Sequence, residues 1–162
     1  MADKLYAGLL YDEAVRKYAQ TVQSVCIVRL RSLADAEDCM QNTFIKLYTK
    51  APDFKSEEHL KAWLLKVAIN ECNQFFRANR RHLSLDEIHD IPLPQSLDEL
   101  DISWALMKLE PKYREVLYLY YGERYTSEQI AKILGKNHNT VRTMLRRGRE
   151  KLKMIYGGGV DE

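Results

Sequence analysis

Catalytic spacing is the first thing this chain lacks. Its four histidines, His59, His82, His89 and His138, form no HExxH pattern, its cysteines form no CxxC pair, and no glycine-rich phosphate loop is present. Neither a metal site nor a nucleotide site assembles from spacing, so no metal and no cofactor are expected. The acidic pairs Glu37 with Asp38 and Glu57 with Glu58 are adjacent in sequence, and neighbours on a helix point in different directions. They make a poor catalytic dyad, and no enzyme is expected. Cysteine is scarce and odd in number: Cys26, Cys39 and Cys72 lie inside apolar helical patterns, which fits reduced thiols in a cytoplasmic protein. The first ten residues lack a basic start followed by an apolar run, and no stretch reaches the ~20 apolar residues a bilayer demands. Export and membrane insertion are not expected. A large charge excess is missing too. With a net charge of only +2, attraction to nucleic acid has to come from how basic residues are distributed.

What is present is helical patterning in two blocks. From Tyr11 to Leu30, Val15, Tyr18, Val22, Val25 and Cys26 recur at spacings of three and four, one face of an amphipathic helix. A second helix is predicted from near Asp35, with Asp35 as its cap, Ala36, Met40, Phe44 and Leu47 inward, and Glu37, Asp38 and Gln41 outward. Ser56, Glu57 and Glu58 open a third, with acids where the macrodipole favours them. It runs through Leu60, Trp63, Leu64, Val67 and Phe75 into a basic patch of Arg77, Arg80 and Arg81.

Composition then changes abruptly. Leu83 to Asp101 holds six acids, two prolines and no lysine or arginine, and reads as an interdomain linker. Helical periodicity resumes around Ile102 to Leu109, and Pro111 suits the first turn of the next helix. Thr126 with Gln129 makes a capping box for a short helix ending at Gly135. Asn137 can cap a last helix to about Lys153, and Gly157 to Gly159 should form a frayed tail.

The segment after Thr126 carries the most specific pattern. A helix-turn-helix needs a small residue inside its first helix, a glycine-like turn and apolar residues inward on both helices. Ala131, Gly135, Val141 and Met144 meet these demands in order, with Ile130 and Leu134 beside them. The same arrangement aims Asn137, His138, Asn139, Arg142, Thr143 and Arg146 outward, towards a major groove. From Arg142 to Lys153 there are six basic residues and one acid, a density suited to phosphates. The bland alternative is a solvated basic helix end complementing its own dipole.

Three segments in order carry a resemblance. DAEDCMQNTFIKLY from Asp35, FKSEEHLKAWLLKVAIN from Phe54, and LEPKYREVLYLYYGERYTSEQIAKILGKNHNTVRTMLRRGREKLK from Leu109 together resemble the extracytoplasmic-function (ECF) group of the sigma-70 family, which keeps only region 2 and region 4. The resemblance implies an all-α fold of two small helical domains, a region 2 helical bundle and a region 4 helix-turn-helix, joined by an acidic linker. Its boundaries would be 1–82, 83–101, 102–156 and a flexible tail 157–162. It also implies the partners of a sigma factor: core RNA polymerase through its clamp helices and flap, promoter DNA, and a cognate anti-sigma factor. The free chain would be a cytoplasmic monomer.

Residue roles follow from the same resemblance. Asp38, Gln41 and Asn42 would grip the clamp; many relatives carry glutamate at the position of Asn42, which weakens the electrostatic part of that contact. Phe54, Lys55, Ser56 and Glu57 would line the loop that captures an unpaired minus-10 base, with Asn70, Asn73, Arg77, Arg80 and Arg81 facing the strand. Asn137, His138, Asn139, Thr140, Arg142, Thr143, Arg146 and Arg147 would read the minus-35 element. Phe54 could equally anchor its loop, and Trp63, at helical spacing from Leu60 and Val67, suits the core better than a stacking platform. The linker would thread towards the RNA exit path or act as a plain tether. Tyr118, Tyr120, Tyr121 and Tyr125 should be mostly core, with any exposed part available to the flap or an anti-sigma factor. The rival reading is an ordinary helix-turn-helix regulator that binds duplex DNA without polymerase; it leaves the order of the first two segments unexplained.

Overall fold

The first helix, α1, spans Tyr11–Leu30 in the computed structural model, which describes residues 4–78 and 103–157. The acidic linker, Arg80 and Arg81 lie outside the described residues. Glu13 accepts a hydrogen bond from the Leu10 amide at 2.8 Å, satisfying one of the donors a helix start leaves open. Tyr18, Val22, Val25 and Cys26 are buried, as the spacing predicts, Val15 is half-buried, and Val28 joins the core beside them. The helix stops at Arg31, whose φ of 55° is left-handed and whose amide returns to Ile27 O at 2.7 Å.

Helix α2 spans Leu33–Lys50 and starts earlier than expected. Ser32, not Asp35, is its cap: the Ser32 hydroxyl accepts from the Asp35 amide at 3.3 Å. Asp35 sits inside the first turn instead, where its charge still complements the macrodipole. Ala36, Phe44 and Leu47 face inward, with Met40 half-buried. Helix α3, Glu57–Ala78, closes a three-helix bundle with Leu60, Leu64, Leu65 and Ala68. Cys26, Cys39 and Cys72 are free and buried where the three helices meet. Hydrogen bonding among these thiols, then burial, pushes Cys39 and Cys72 above the ordinary thiol range, so they behave as packed apolar groups.

The second half begins with a single helical turn, α4, Ser103–Leu106. The longer helix expected to Leu109 is replaced by turn bonds, Lys108 N to Ala105 O and Leu109 N to Leu106 O, both 3.1 Å. They bring Pro111 to the first position of α5, Pro111–Leu117. The chain then widens into a π-helical turn at Tyr118–Gly122, which the periodicity did not indicate. Tyr118 is core, Tyr120 and Tyr125 are half-buried, and Tyr121 is exposed.

Helices α6, Ser127–Leu134, and α7, His138–Gly157, complete the fold. Helix α7 continues past the expected end at Lys153, because Leu152 is buried and Ile155 packs against the core; Gly157 belongs to the helix rather than a tail. Gly148 makes that packing close: a Cβ there would lie 3.2 Å from Leu117 Cδ1 and 3.4 Å from Tyr113 Cβ.

All regular structure among the described residues is helical, apart from an isolated bridge between Tyr6 and Leu9. The two halves pack together, α5 against α1 and α6 against α3. At the edge of this seam Lys61 pairs with Glu123 at 2.8 Å. A partly exposed pair of that kind contributes about 0–1 kcal/mol, so the seam's stability must come mainly from elsewhere.

Candidate nucleic-acid interface

Three surfaces carry the residues singled out from the sequence, and each is positioned by its own helix. The helix-turn-helix is built from local caps. Thr126 accepts from the Gln129 amide at 3.2 Å while the Gln129 side chain accepts from the Thr126 amide at 2.9 Å. Gly135 ends α6 with φ 65°, and Asn137 Oδ1 accepts from the Asn139 amide at 2.8 Å to begin α7. Ile130, Ala131, Val141 and Leu145 lock the two helices together, with Leu134 and Met144 half-buried at the edge.

The outward face of α7 is a basic groove of about 610 Å³ lined by Asn139, Arg142, Thr143, Arg146 and Arg149, with Tyr120 at its side. Arg142 and Arg146 are exposed, and Arg146 has only a 4.0 Å contact with exposed Glu150. Asn137 and His138 already have partners within the fold. Asn137 is the cap, while His138 is half-buried and its Nε2 lies 2.7 Å from Ser127 Oγ, tying the starts of the two helices together. Thr140 and Arg147 are exposed but do not line the groove. Arg149 escaped sequence reasoning. It falls at i+7 from Arg142, which was the available signal, and it lies 5.0 Å from the Tyr120 ring and donates to the Tyr121 hydroxyl at 2.8 Å.

The second surface is the start and outer face of α3. Phe54 is half-buried, its ring 5.2 Å from His59 and 5.6 Å from Trp63, so it anchors the loop in this conformation. Trp63 is half-buried alongside it. Lys55 is exposed, its amide donating to His59 Nδ1 at 3.1 Å, and Ser56 Oγ accepts from the His59 amide at 3.1 Å. Glu57 accepts from Lys17 Nζ at 2.5 Å and from the Tyr18 hydroxyl at 2.8 Å. Those two bonds hold its carboxyl below the ordinary range, and burial together with Glu57 pushes the Tyr18 phenol up. Further along, Asn70 and Arg77 are exposed. Asn73 is half-buried, with its Oδ1 accepting from Arg29 at 2.7 Å. Asn73, Phe76, Arg77 and Arg29 share a cleft of about 400 Å³ with Pro111.

The third surface is the outer stripe of α2. Asp38, Gln41 and Asn42 are exposed there, and the stripe continues into Ile45 and Tyr48, which are 57% and 66% exposed. Large apolar groups left in water beside a polar patch mark an interaction surface. Among the described residues no group of three or more His, Cys, Asp or Glu side chains is placed to hold a metal, and no helix is long and apolar enough to cross a membrane.

Comparison with known proteins agrees on both halves. The family Sigma-70 region 2 matches residues 14–82, and Sigma-70, region 4 matches residues 100–152. Among curated proteins, the chain is 26% identical over 162 residues to the ECF RNA polymerase sigma factor SigW of Bacillus subtilis, covering 88% of this chain and 87% of that one. It is 26% identical over 155 residues to the RNA polymerase sigma factor CarQ of Myxococcus xanthus, covering 91% and 89%. Among solved structures, the sigma factor RpoE in complex with the anti-sigma factor NepR from Bartonella quintana superposes with a TM-score of 0.70 at 25% identity, covering 94% of this chain and 98% of that one. CnrH in complex with the cytosolic domain of CnrY shares the fold, with a TM-score of 0.66 at 20% identity over 94% of this chain and 89% of that one.

Proposed function

The chain belongs to the sigma-70 family, in its ECF group, and on that premise we propose that it binds core RNA polymerase and directs transcription initiation at promoters. It reads a minus-35 element as duplex with α7 and a minus-10 element as an opened strand with α3. The domains divide near 1–82 and 102–156, with 83–101 as the linker.

The observation that carries this reading is the exposed arginine stripe of Arg142, Arg146 and Arg149 on the second helix of a helix-turn-helix, in a chain whose other half matches region 2. Asn139, Arg142, Thr143 and Arg146 are assigned to the minus-35 groove, and Arg149 joins them. Asn137 and His138 shape that surface rather than touch bases; Thr140 and Arg147 are left for the phosphates beside it. At minus-10, Lys55, Asn70 and Arg77 meet the strand, joined by Asn73 once Arg29 releases it. Phe54, Ser56 and Glu57 shape the capture loop. Strand opening needs no chemistry on the base: capture of an unpaired base offsets an unstacking cost of a few kcal/mol.

Asp38, Gln41 and Asn42 meet basic side chains of the polymerase clamp, with Ile45 and Tyr48 supplying the apolar part of the contact. Both solved neighbours named above were captured with protein partners, one of them an anti-sigma factor by name. A cognate anti-sigma factor is therefore the regulator expected here. The chain works in the cytoplasm, where polymerase is, and as an initiation factor rather than an enzyme. Substrate turnover by the purified chain alone would contradict that.

The test is binding to core polymerase. Asp38→Arg is expected to weaken the complex by about 1–2 kcal/mol while far-UV circular dichroism stays that of the parent. Equal affinity in variant and parent would remove Asp38 from the interface. Duplex DNA binding that persists with no polymerase affinity in the parent would favour an ordinary helix-turn-helix regulator.

A further inference from the structure

Three tyrosines from separate parts of the sequence meet where α1 begins and α2 ends. The Tyr6 and Tyr11 rings lie 5.8 Å apart and the Tyr11 and Tyr48 rings 5.2 Å apart, each pair edge to face, the arrangement that ring quadrupoles favour. Two of the three are fixed in place by the fold. The Tyr6 amide donates to Leu9 O at 2.7 Å and the Leu9 amide to Tyr6 O at 3.0 Å. These bonds close a two-residue turn through Ala7 and Gly8, whose φ of 54° and 86° are both left-handed. The turn presses Tyr6 into the core, where it is 3% exposed. Tyr11 is oriented by its hydroxyl, which donates at 2.6 Å to Phe44 O, a carbonyl of α2 one turn before Tyr48. Tyr48 itself stands mostly in solvent.

These rings, with Leu10, Asp12 and Lys4, wall a hollow of about 490 Å³. The faces of phenol rings are electron-rich, and Asp12 is exposed at the rim. A cation entering the hollow is drawn by the rings and by the carboxylate, and an acid is repelled by both. The chain's own Lys4 illustrates the chemistry. Its Nζ lies 5.2 Å from the centre of the Tyr6 ring while donating to Ala51 O at 3.3 Å, a bond that ties it to the Tyr6 end of the hollow.

The position of the hollow identifies what enters it. Asp38, Gln41, Ile45 and Tyr48 follow one another at spacings of three and four, so they share one face of α2. The hollow therefore continues the surface assigned to the polymerase clamp, and a partner surface that meets Asp38 is basic there. We propose that Tyr6, Tyr11, Tyr48 and Asp12 form a cage for one cationic side chain of core polymerase, an arginine or lysine seated beside those that meet Asp38 and Gln41. The proposal rests on the assignment of the α2 stripe to the clamp. Because Tyr6 and Tyr11 are ordered before the partner arrives, little freedom is lost when the cage fills.

The experiment compares rings at position 48 in the full chain, with affinity for core RNA polymerase as the readout. One variant is Tyr48→Phe; in the other, pentafluorophenylalanine replaces Tyr48, which keeps an apolar ring but withdraws electron density from its face. The cage predicts binding about fivefold weaker for the fluorinated ring than for phenylalanine, with circular dichroism the same for both. Asp12→Asn should weaken binding by about threefold at low salt, and the loss should fade as ionic strength rises. Equal affinity for the two rings would mean that an apolar side chain, not a cation, sits there, and would overturn the cage; so would Asp12→Asn binding as the parent does at low salt. In either case Asp38→Arg would still weaken the complex. Should Asp38→Arg also leave affinity unchanged, the clamp assignment falls and the cage falls with it.

Discussion

The two helices assigned here to DNA, α7 and α3, are built on opposite plans. The α7 face is open: Asn139, Arg142 and Arg146 are exposed along one groove, and the caps that orient it lie within a dozen residues of it. The α3 face is shared. Asn73 is already bonded to Arg29, Glu57 to Lys17 and Tyr18, and Pro111 of the other half borders the cleft beside Arg77. Duplex DNA presents its major-groove edges and phosphates ready-made, so a rigid exposed helix suffices to read it. An unpaired strand must first be produced, and capturing its bases calls for a surface whose side chains can exchange partners. The difference lies in availability rather than composition, since both faces combine asparagine with arginine.

The largest effect should come from stripping the open face. Arg142→Ala with Arg146→Ala is expected to weaken binding to a duplex minus-35 element by about 2–4 kcal/mol and to reduce the salt slope by about 2. Affinity for a single-stranded minus-10 oligonucleotide in the polymerase complex should not change; fluorescence anisotropy over a salt series measures both. Asn70→Ala with Arg77→Ala is the converse probe. It should cost about 1–2 kcal/mol on the single strand and nothing on the duplex, and equal losses on both ligands would erase the distinction between the faces.

A smaller effect isolates the geometry of the turn. Gly135→Ala meets no neighbour within 4 Å, so only its left-handed φ of 65° is penalised. Thermal unfolding should show a loss of about 1 kcal/mol. The smallest effect is on the shared face. Because Glu57 is held below the ordinary 4.5, its bonds stabilise the fold above that value and are lost as pH falls through the lowered one. The Tm gap between the parent and Glu57→Gln should therefore be present at neutral pH and vanish in acid. A gap that persists at low pH would mean that Glu57 acts through packing alone.

How far the molecule could be read from its sequence follows the same divide between local and distant. The bounds of α1, Pro111 at the start of α5, the Thr126 and Gln129 capping box and the turn at Gly135 were all legible, because each depends on residues a few positions apart. The cap of α2 was misread. Ser32 and Asp35 are both capable caps, and only the extended φ of −150° at Ser32 decides between them. The overrun of α7 to Gly157 was not visible because Ile155 finds its packing partners in the folded core. The π turn at Tyr118–Gly122 falls in an aromatic run that a regular helix would accommodate as readily. The bonds from Arg114 to the carbonyls of Val28 and Arg29 at the end of α1 were out of reach for the plainest reason: Arg114 and Val28 are 86 residues apart, and a guanidinium that caps a distant helix leaves no periodic trace. At the candidate site, exposure was legible on α7 and at Lys55, Asn70 and Arg77, but not at Asn73 and Glu57, which are occupied by partners from α1.

The most direct test of the account is transcription itself. The purified chain would be added to bacterial core RNA polymerase with a promoter library, and the transcripts that depend on its addition would be sequenced. The account predicts defined start sites sharing two upstream elements, one sensitive to the Arg142 and Arg146 substitutions and the other to those at Asn70 and Arg77. Transcripts that share no such elements, or none that depend on the chain, would contradict it.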